Sequence, residues 1–230
     1  MIGEAVDAHG GHGATTFQVA TVNPEFVMRA RLDPHFRQVL RGASLRTADG
    51  AGLMLAGRIL RHRLPERVTG VDLTVGVARA AAGRGDRVFF LGAPPGVAEA
   101  AAQELAREFP GLPVAGTFAG DSSEAGDAET LEAVRAAHPD IILVAYGAPA
   151  QEQWLARNLD VSGAAAGIGV GGTFDYLSGR VRRAPAWMRR FGLEWMHRLL
   201  RQPSRAGRMA VLPVFLLLVI RQRLASRGTR

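Results

Sequence analysis

Three short apolar runs, each ending in a glycine turn, constrain the fold of this 230-residue chain more than any other feature. They are VFFL at 88–91 before GAPPG (92–96), IILVA at 141–145 before YGAP, and the stretch 164–170 before GGTFD (171–175). Runs without polar alternation suit strands buried on both faces. Helical spacing fills the gaps, over 97–109 (stopped by Pro110 and Gly111), 128–137, and from Ala150 to about Asn158. Upstream, a strand is expected at 17–22, a helix opened by Pro24 over 25–41, an extended piece at 44–47, and helices over 51–62 and 71–82. A further strand is expected at 112–117. Strands alternating with helices predict an α/β fold, a Rossmann-like parallel sheet with helices on both faces, followed by a basic helical C-terminal appendage. Ligands of such sheets bind outside the carboxyl ends of the strands, which here means the turns 92–96, 147–152 and 171–175.

Composition divides the chain further. Residues 1–15 are rich in Gly, Ala and His and lack apolar periodicity, so a flexible arm is expected there, with the core over 16–183 and the appendage over 184–230. His9 and His12 in that arm read as solvated. Residues 1–178 carry 15 arginines and 20 acids, whereas 179–230 carry 13 arginines and one acid, Glu194. The net charge of +7 therefore comes from the tail, and an asymmetry of this kind points to an anionic partner, nucleic acid or lipid headgroups. The absence of cysteine excludes disulfides and thiolate metal sites. No basic segment followed by an apolar stretch opens the chain, so no secretory signal is expected.

Residues 209–220 are apolar, interrupted by Pro213 and flanked by Arg205, Arg208, Arg221 and Arg223. Spanning a bilayer takes about 20 apolar residues. This run is shorter, so it is expected to lie in a membrane interface or to pack on the protein. Trp187, Phe191 and Trp195 recur every four residues on a basic helix. Such a stripe is most often core packing and can also sit at headgroup level.

Few residues announce chemistry by themselves. Asp49, in TADG between an extended piece and a helix, could act as a general base or cap the helix that follows. Thr21 and Asn23, in TVNPEF, could hydrogen-bond a sugar or nucleotide, or cap the strand-to-helix turn. GAPPG lacks the dinucleotide and P-loop glycine spacings. The chain contains no Asp-x-Asp and no histidine pair at helical metal spacing, so a metal site is not expected. A bound phosphate would be neutralised by arginine and backbone N–H groups.

Several runs together resemble the WecG/TagA/CpsF glycosyltransferases: TVNPEF, TADGAG, LPERVTGVDL, VFFLGAPPGVAE, GAPAQEQW, GVGGTFDYLSGRVRRAP and GLEWMHRLLRQPSRAGRM, in order over about residues 19–209. The resemblance implies an inverting, metal-independent enzyme of cell-surface polysaccharide synthesis. It would move a sugar, often of the N-acetylmannosamine type, from a UDP-sugar donor to a polyprenyl-diphosphate-linked sugar acceptor, with no cofactor. The enzyme would work in the cytoplasm, peripherally on the inner membrane face. Asp49 then stands at the position of the family's proposed base, with Thr21 and Asn23 in the same cleft. Arg67 and Gln151 fall at substrate-contacting positions, and Asp175 is a candidate for donor binding. Arg198, Arg205 and Arg208 match arginines that close over the site when the tail docks on an anionic membrane. The chain departs from the pattern at Ala150, where lysine is frequent, and at Asp121 and Ser122, where an aromatic residue often follows the glycine.

Two other classes compete: a non-catalytic nucleic-acid-binding protein using the +12 tail, and a soluble nucleotide-sugar epimerase or dehydrogenase. The apolar run 209–220 argues against the first, and the missing dinucleotide fingerprint against the second. A homo-oligomer stays open.

Overall fold

The computed structural model describes residues 1–9, 16–201 and 206–226. In chain order the elements begin with helix α1 (Ile2–Ala8), strand β1 (Phe17–Val22), α2 (Pro24–Leu32), α3 (Pro34–Gly42), β2 (Leu45–Ala48), α4 (Ala51–Leu60) and α5 (Gly70–Arg84). The alternating part follows, with β3 (Val88–Gly92), α6 (Val97–Glu108), β4 (Val114–Phe118), α7 (Asp127–Ala136), β5 (Ile141–Ala145), α8 (Ala150–Ser162), β6 (Ala166–Gly169) and α9 (Thr173–Leu177). The tail contributes α10 (Ala186–Arg190), α11 (Glu194–Arg201), α12 (Ala206–Met209) and α13 (Val211–Ala225).

The chain forms two compact units. One contains Met1–Thr21, Gln38–Arg46 and Gly70–Arg182, and the other Val22–Arg37, Thr47–Thr69 and Arg183–Arg230. Segments 22–37 and 47–69, expected in the core, thus group with the tail helices.

The six strands form one sheet in the order β2-β1-β6-β5-β3-β4, and β1–β6, β6–β5, β5–β3 and β3–β4 pair in parallel. The α/β expectation holds, and the apolar runs show why. Val88, Phe90, Ile141 and Leu143 face a cluster built with Val77, Ala78 and Ala81 of α5 and with Ala98, Ala101 and Leu105 of α6. Their neighbours Phe89, Leu91, Ile142 and Val144 face the opposite cluster with Val134 of α7 and with Trp154, Leu155 and Leu159 of α8. Side chains alternate along a strand, so a strand covered by helices on both sides must be apolar at every position. The chain leaves β3 toward β4 and leaves β5 toward β6, in opposite directions. The carboxyl ends of β3 and β5 therefore flank a topological switch point, the usual ligand position in such sheets.

Three elements differ from expectation. Residues 2–8 form a helix instead of a flexible arm, with Ile2 and Val6 on the core and Asp7 paired to Arg84 at 2.6 Å. His12, with residues 10–15, lies outside the described residues. The helix expected over 25–41 breaks at Asp33, because the residue before a proline is pushed out of helical backbone; Asp33 Oδ1 then accepts from the Phe36 amide to start α3. Pro213, read as an interruption, sits in the first turn of α13, where its missing N–H has no intrahelical partner to lose.

Helix α13 packs on α2 and α4. Phe215 and Val219 are buried with Ala56, beside Met28, Leu53, Ile59 and Leu60. Val214, Leu217, Ile220 and Leu224 remain exposed. Trp187, Phe191 and Trp195 are also exposed, at 58%, 73% and 42%, so the aromatic stripe is not core packing. No helix among the described residues is long and apolar enough to cross a membrane.

Candidate active site

In the sheet unit, the turns after β3, β5 and β6 are shaped by glycine. Gly92 has φ 94°, and a Cβ there would stand 3.0 Å from the backbone of Ala145 and Tyr146 at the end of β5. The GAPPG turn therefore lies tight against the neighbouring strand, which only glycine permits. Ala93 beside it carries φ 64°, a backbone strain of the kind that accumulates at ligand sites.

Thr21 and Gln151 are placed in this unit. Thr21, at the end of β1, is buried, and its Oγ1 donates to the Gly169 carbonyl at 2.8 Å. Gln151, in the first turn of α8, is 1% exposed. Its Oε1 accepts from the Gly147 amide at 3.1 Å and the Gly171 amide at 2.9 Å, joining the turns after β5 and β6. Expected as a substrate contact, its amide oxygen is instead taken up by the two turns. Its Nε2 donates to Glu152 Oε1 at 2.6 Å. Glu152 has no exposed surface, and burial pushes its carboxyl up to about 8, with the Gln151 hydrogen bond opposing. Asp175 falls in the short helix α9, half-buried, with Arg180 Nη1 at 3.9 Å and its carbonyl accepting from the Val181 amide. Asp121 holds its own turn, Oδ1 accepting from the Ser123 amide and Oδ2 from the Ser123 hydroxyl.

In the other unit, backbone hydrogen bonds bring together three predicted segments. The Asp49 amide donates to Val22 O at 2.7 Å, and the Val68 amide to Ala48 O at 3.0 Å. Asn23, Asp49 and Arg67 are each at or next to a residue in these bonds. Asn23 Oδ1 accepts from the Phe26 amide, so it caps α2. Asp49 directly precedes the cap position of α4, which Gly50 occupies. Arg67 Nη1 and Arg183 Nε approach the two oxygens of Glu194, at 3.8 and 3.4 Å, and Arg183 Nη2 is 3.3 Å from Thr69 Oγ1. Arg205 lies outside the described residues, as do the side chains of Arg198 and Arg208. Among the described residues no group of three or more His, Asp or Glu could hold a metal ion.

Two participants escaped sequence reading. Glu152 reads as an acid complementing a helix N-terminus, and nothing in GAPAQE signals its burial. Arg183, one of several arginines in GRVRRAP, is singled out only by its place beside Glu194.

Comparison with known proteins decides the family. The model of the glycosyl transferase WecG/TagA/CpsF family matches residues 2–229. The chain belongs to this family. Relatives within reach include the N-acetylglucosaminyldiphosphoundecaprenol N-acetyl-beta-D-mannosaminyltransferase of Bacillus spizizenii, 34% identical over 90% of this chain and 80% of the relative. The protein of the same name from Bacillus subtilis is 34% identical over 89% and 79%, and that from Staphylococcus aureus MW2 30% identical over 86% and 77%. Membership makes this WecG/TagA/CpsF chain a glycosyltransferase.

Proposed function

We propose that this protein transfers an N-acetylmannosamine-type sugar from a UDP-sugar to a polyprenyl-diphosphate-linked N-acetylglucosamine, with inversion and without a metal, in cell-surface polysaccharide synthesis. The observation that carries the reading is the similarity, over nine-tenths of the chain, to a transferase whose name specifies that sugar and that lipid-linked acceptor.

Asp49 takes the proton of the acceptor hydroxyl. The hydroxyl oxygen forms the new bond to the anomeric carbon as the bond from that carbon to the diphosphate oxygen breaks, and UDP departs with the electron pair. Inversion follows from attack on the face opposite UDP. Arg67, with the tail arginines Arg198, Arg205 and Arg208, offsets the charge gathering on the leaving diphosphate. Asn23 and Asp175 contact the substrates. Gln151 and Thr21 act through the backbone of the turns they hold, in keeping with their burial.

The acceptor's diphosphate lies at headgroup level, which calls for a protein held at the inner face of the membrane. The exposed Trp187, Phe191 and Trp195, the outer stripe of α13 and 13 arginines over 179–230 suit shallow insertion into an anionic interface better than a nucleic-acid groove. A screen of UDP-sugars for UDP release, with and without a short-chain polyprenyl-diphosphate-N-acetylglucosamine, tests the reading. UDP-N-acetylmannosamine should be turned over only with acceptor present and with chelator tolerated. Release that requires no acceptor, or is abolished by chelator, would overturn it.

A further inference from the structure

The most deeply buried carboxylate among the described residues has no part in the mechanism above. Glu152 has 0% of its surface exposed, against 8% for Asp86. Burying a carboxyl is costly unless its environment gives something back. Oε1 accepts from Gln151 Nε2 at 2.6 Å, the Glu152 carbonyl accepts from Gln18 Nε2 at 3.2 Å, and Oε2 makes no hydrogen bond.

What the carboxyl gives back is the orientation of its neighbour. Gln151 has two possible amide orientations. In one, Oε1 meets the N–H groups of Gly147 and Gly171. In the other, an NH₂ would face those two donors and both hydrogen bonds would be lost. An oxygen acceptor beside Nε2 selects the first. The backbone makes room for this arrangement: a Cβ on Gly169 would stand 2.5 Å from Glu152 Oε1 and 2.6 Å from Gln151 Nε2. Gly169 is also the residue whose carbonyl receives Thr21. One contiguous set of contacts thus runs from β1 through β6 to the turns after β5 and β6.

We propose that Glu152 is a positioning residue: by accepting from Gln151 Nε2 it fixes the amide orientation that ties the 147 turn to the 171 turn at the carboxyl edge of the sheet. Its effect on turnover rests on the transferase reading, while its effect on the two turns does not. The carboxyl works as an acceptor and needs no negative charge for the task, so glutamine can replace it. Aspartate, one methylene shorter, cannot reach Nε2.

The test compares full-length wild type, Glu152→Gln and Glu152→Asp. Hydrogen exchange of the peptides containing Gly147 and Gly171 is followed beside UDP release with the lipid-linked acceptor. Glu152→Gln should keep wild-type protection and kcat. Glu152→Asp should stay folded, lose protection at both turns together, and lose at least about 10-fold in kcat with little change in KM, since small misplacements of a site cost rate. Unchanged protection in Glu152→Asp, or loss of protection in Glu152→Gln equal to that in Glu152→Asp, would overturn the proposal. If the wild type releases no UDP, the transferase reading fails, and the exchange data still decide the role of Glu152.

Discussion

Glu194 Oε2 lies 3.8 Å from Arg67 Nη1, so the one acid of residues 179–230 is placed against an arginine assigned to the diphosphate. The other carboxylate oxygen faces Arg183 at 3.4 Å. All three side chains are about one-quarter exposed, and ion pairs this wet contribute only about 0–1 kcal/mol. Glu194→Gln should therefore leave the thermal midpoint almost unchanged. It removes an anion that competes with substrate phosphate for Arg67, so KM for the UDP-sugar should fall by up to about 5-fold, the equivalent of 1 kcal/mol. Arg67→Gln should move KM the other way. A higher KM in Glu194→Gln would mean that the carboxylate orients Arg67 for substrate instead of competing with it.

Burial of Glu152 has a consequence for stability. In the unfolded chain the group ionises near its ordinary value of 4.5, and in the folded protein only at about 8. Between these values the native state holds a proton that the unfolded state has released, so stability falls as pH rises across this window and levels off above it. The cause is burial, opposed by the hydrogen bonds that the carboxyl accepts. Glu152→Gln cannot ionise. Its stability relative to wild type, measured by urea unfolding, should grow steadily from about pH 4.5 to about pH 8. A constant difference across the window would show that Glu152 is ionised in the native protein.

These relationships differ in how far they can be read from residue order. VFFL and IILVA are legible because a strand covered on both faces leaves no position for a polar residue, and the glycine turns follow from where such strands end. The break before Pro34 was also written in the chain, but the apolar spacing on both sides of it suggested one helix. Residues 2–8 hid their helix because its stability comes from Ile2, Val6 and Asp7 meeting distant partners, and not from propensity. Asp49 is legible as a candidate from TADG alone, whereas the place of Gly50, not Asp49, at the cap position of α4 shows only in the fold. The burial of Glu152 depends on where β6 and Gln18 come to rest, and no local pattern carries that information.

Asp49→Asn tests the base. The Asp49 backbone N–H is held by Val22 whatever the side chain, so the turn should survive the substitution. Loss of a general base costs roughly 10²–10⁴-fold in rate. We expect that loss in kcat with an unchanged circular dichroism spectrum and thermal midpoint. Activity within about threefold of wild type, well short of that general-base range, would remove Asp49 from the mechanism.

The two sides of α13 should respond differently to substitution. Phe215 is 6% exposed and packs in the cluster with Ala56 and Val219. Phe215→Ala leaves a cavity there and should cost about 3–5 kcal/mol of stability, seen as a lower urea midpoint. Leu217 is 67% exposed on the same helix. Leu217→Glu touches no packing and should change stability by no more than about 0.5 kcal/mol. It does place a charge on the stripe assigned to the lipid interface, where insertion of apolar side chains and attraction to anionic headgroups act together. Flotation with vesicles of phosphatidylglycerol and phosphatidylethanolamine should therefore drop sharply for Leu217→Glu, together with turnover on a membrane-embedded acceptor, while turnover on a short-chain soluble acceptor is retained. Flotation equal to wild type would remove α13 from the membrane contact and leave Trp187, Phe191 and Trp195 as the surface to test next.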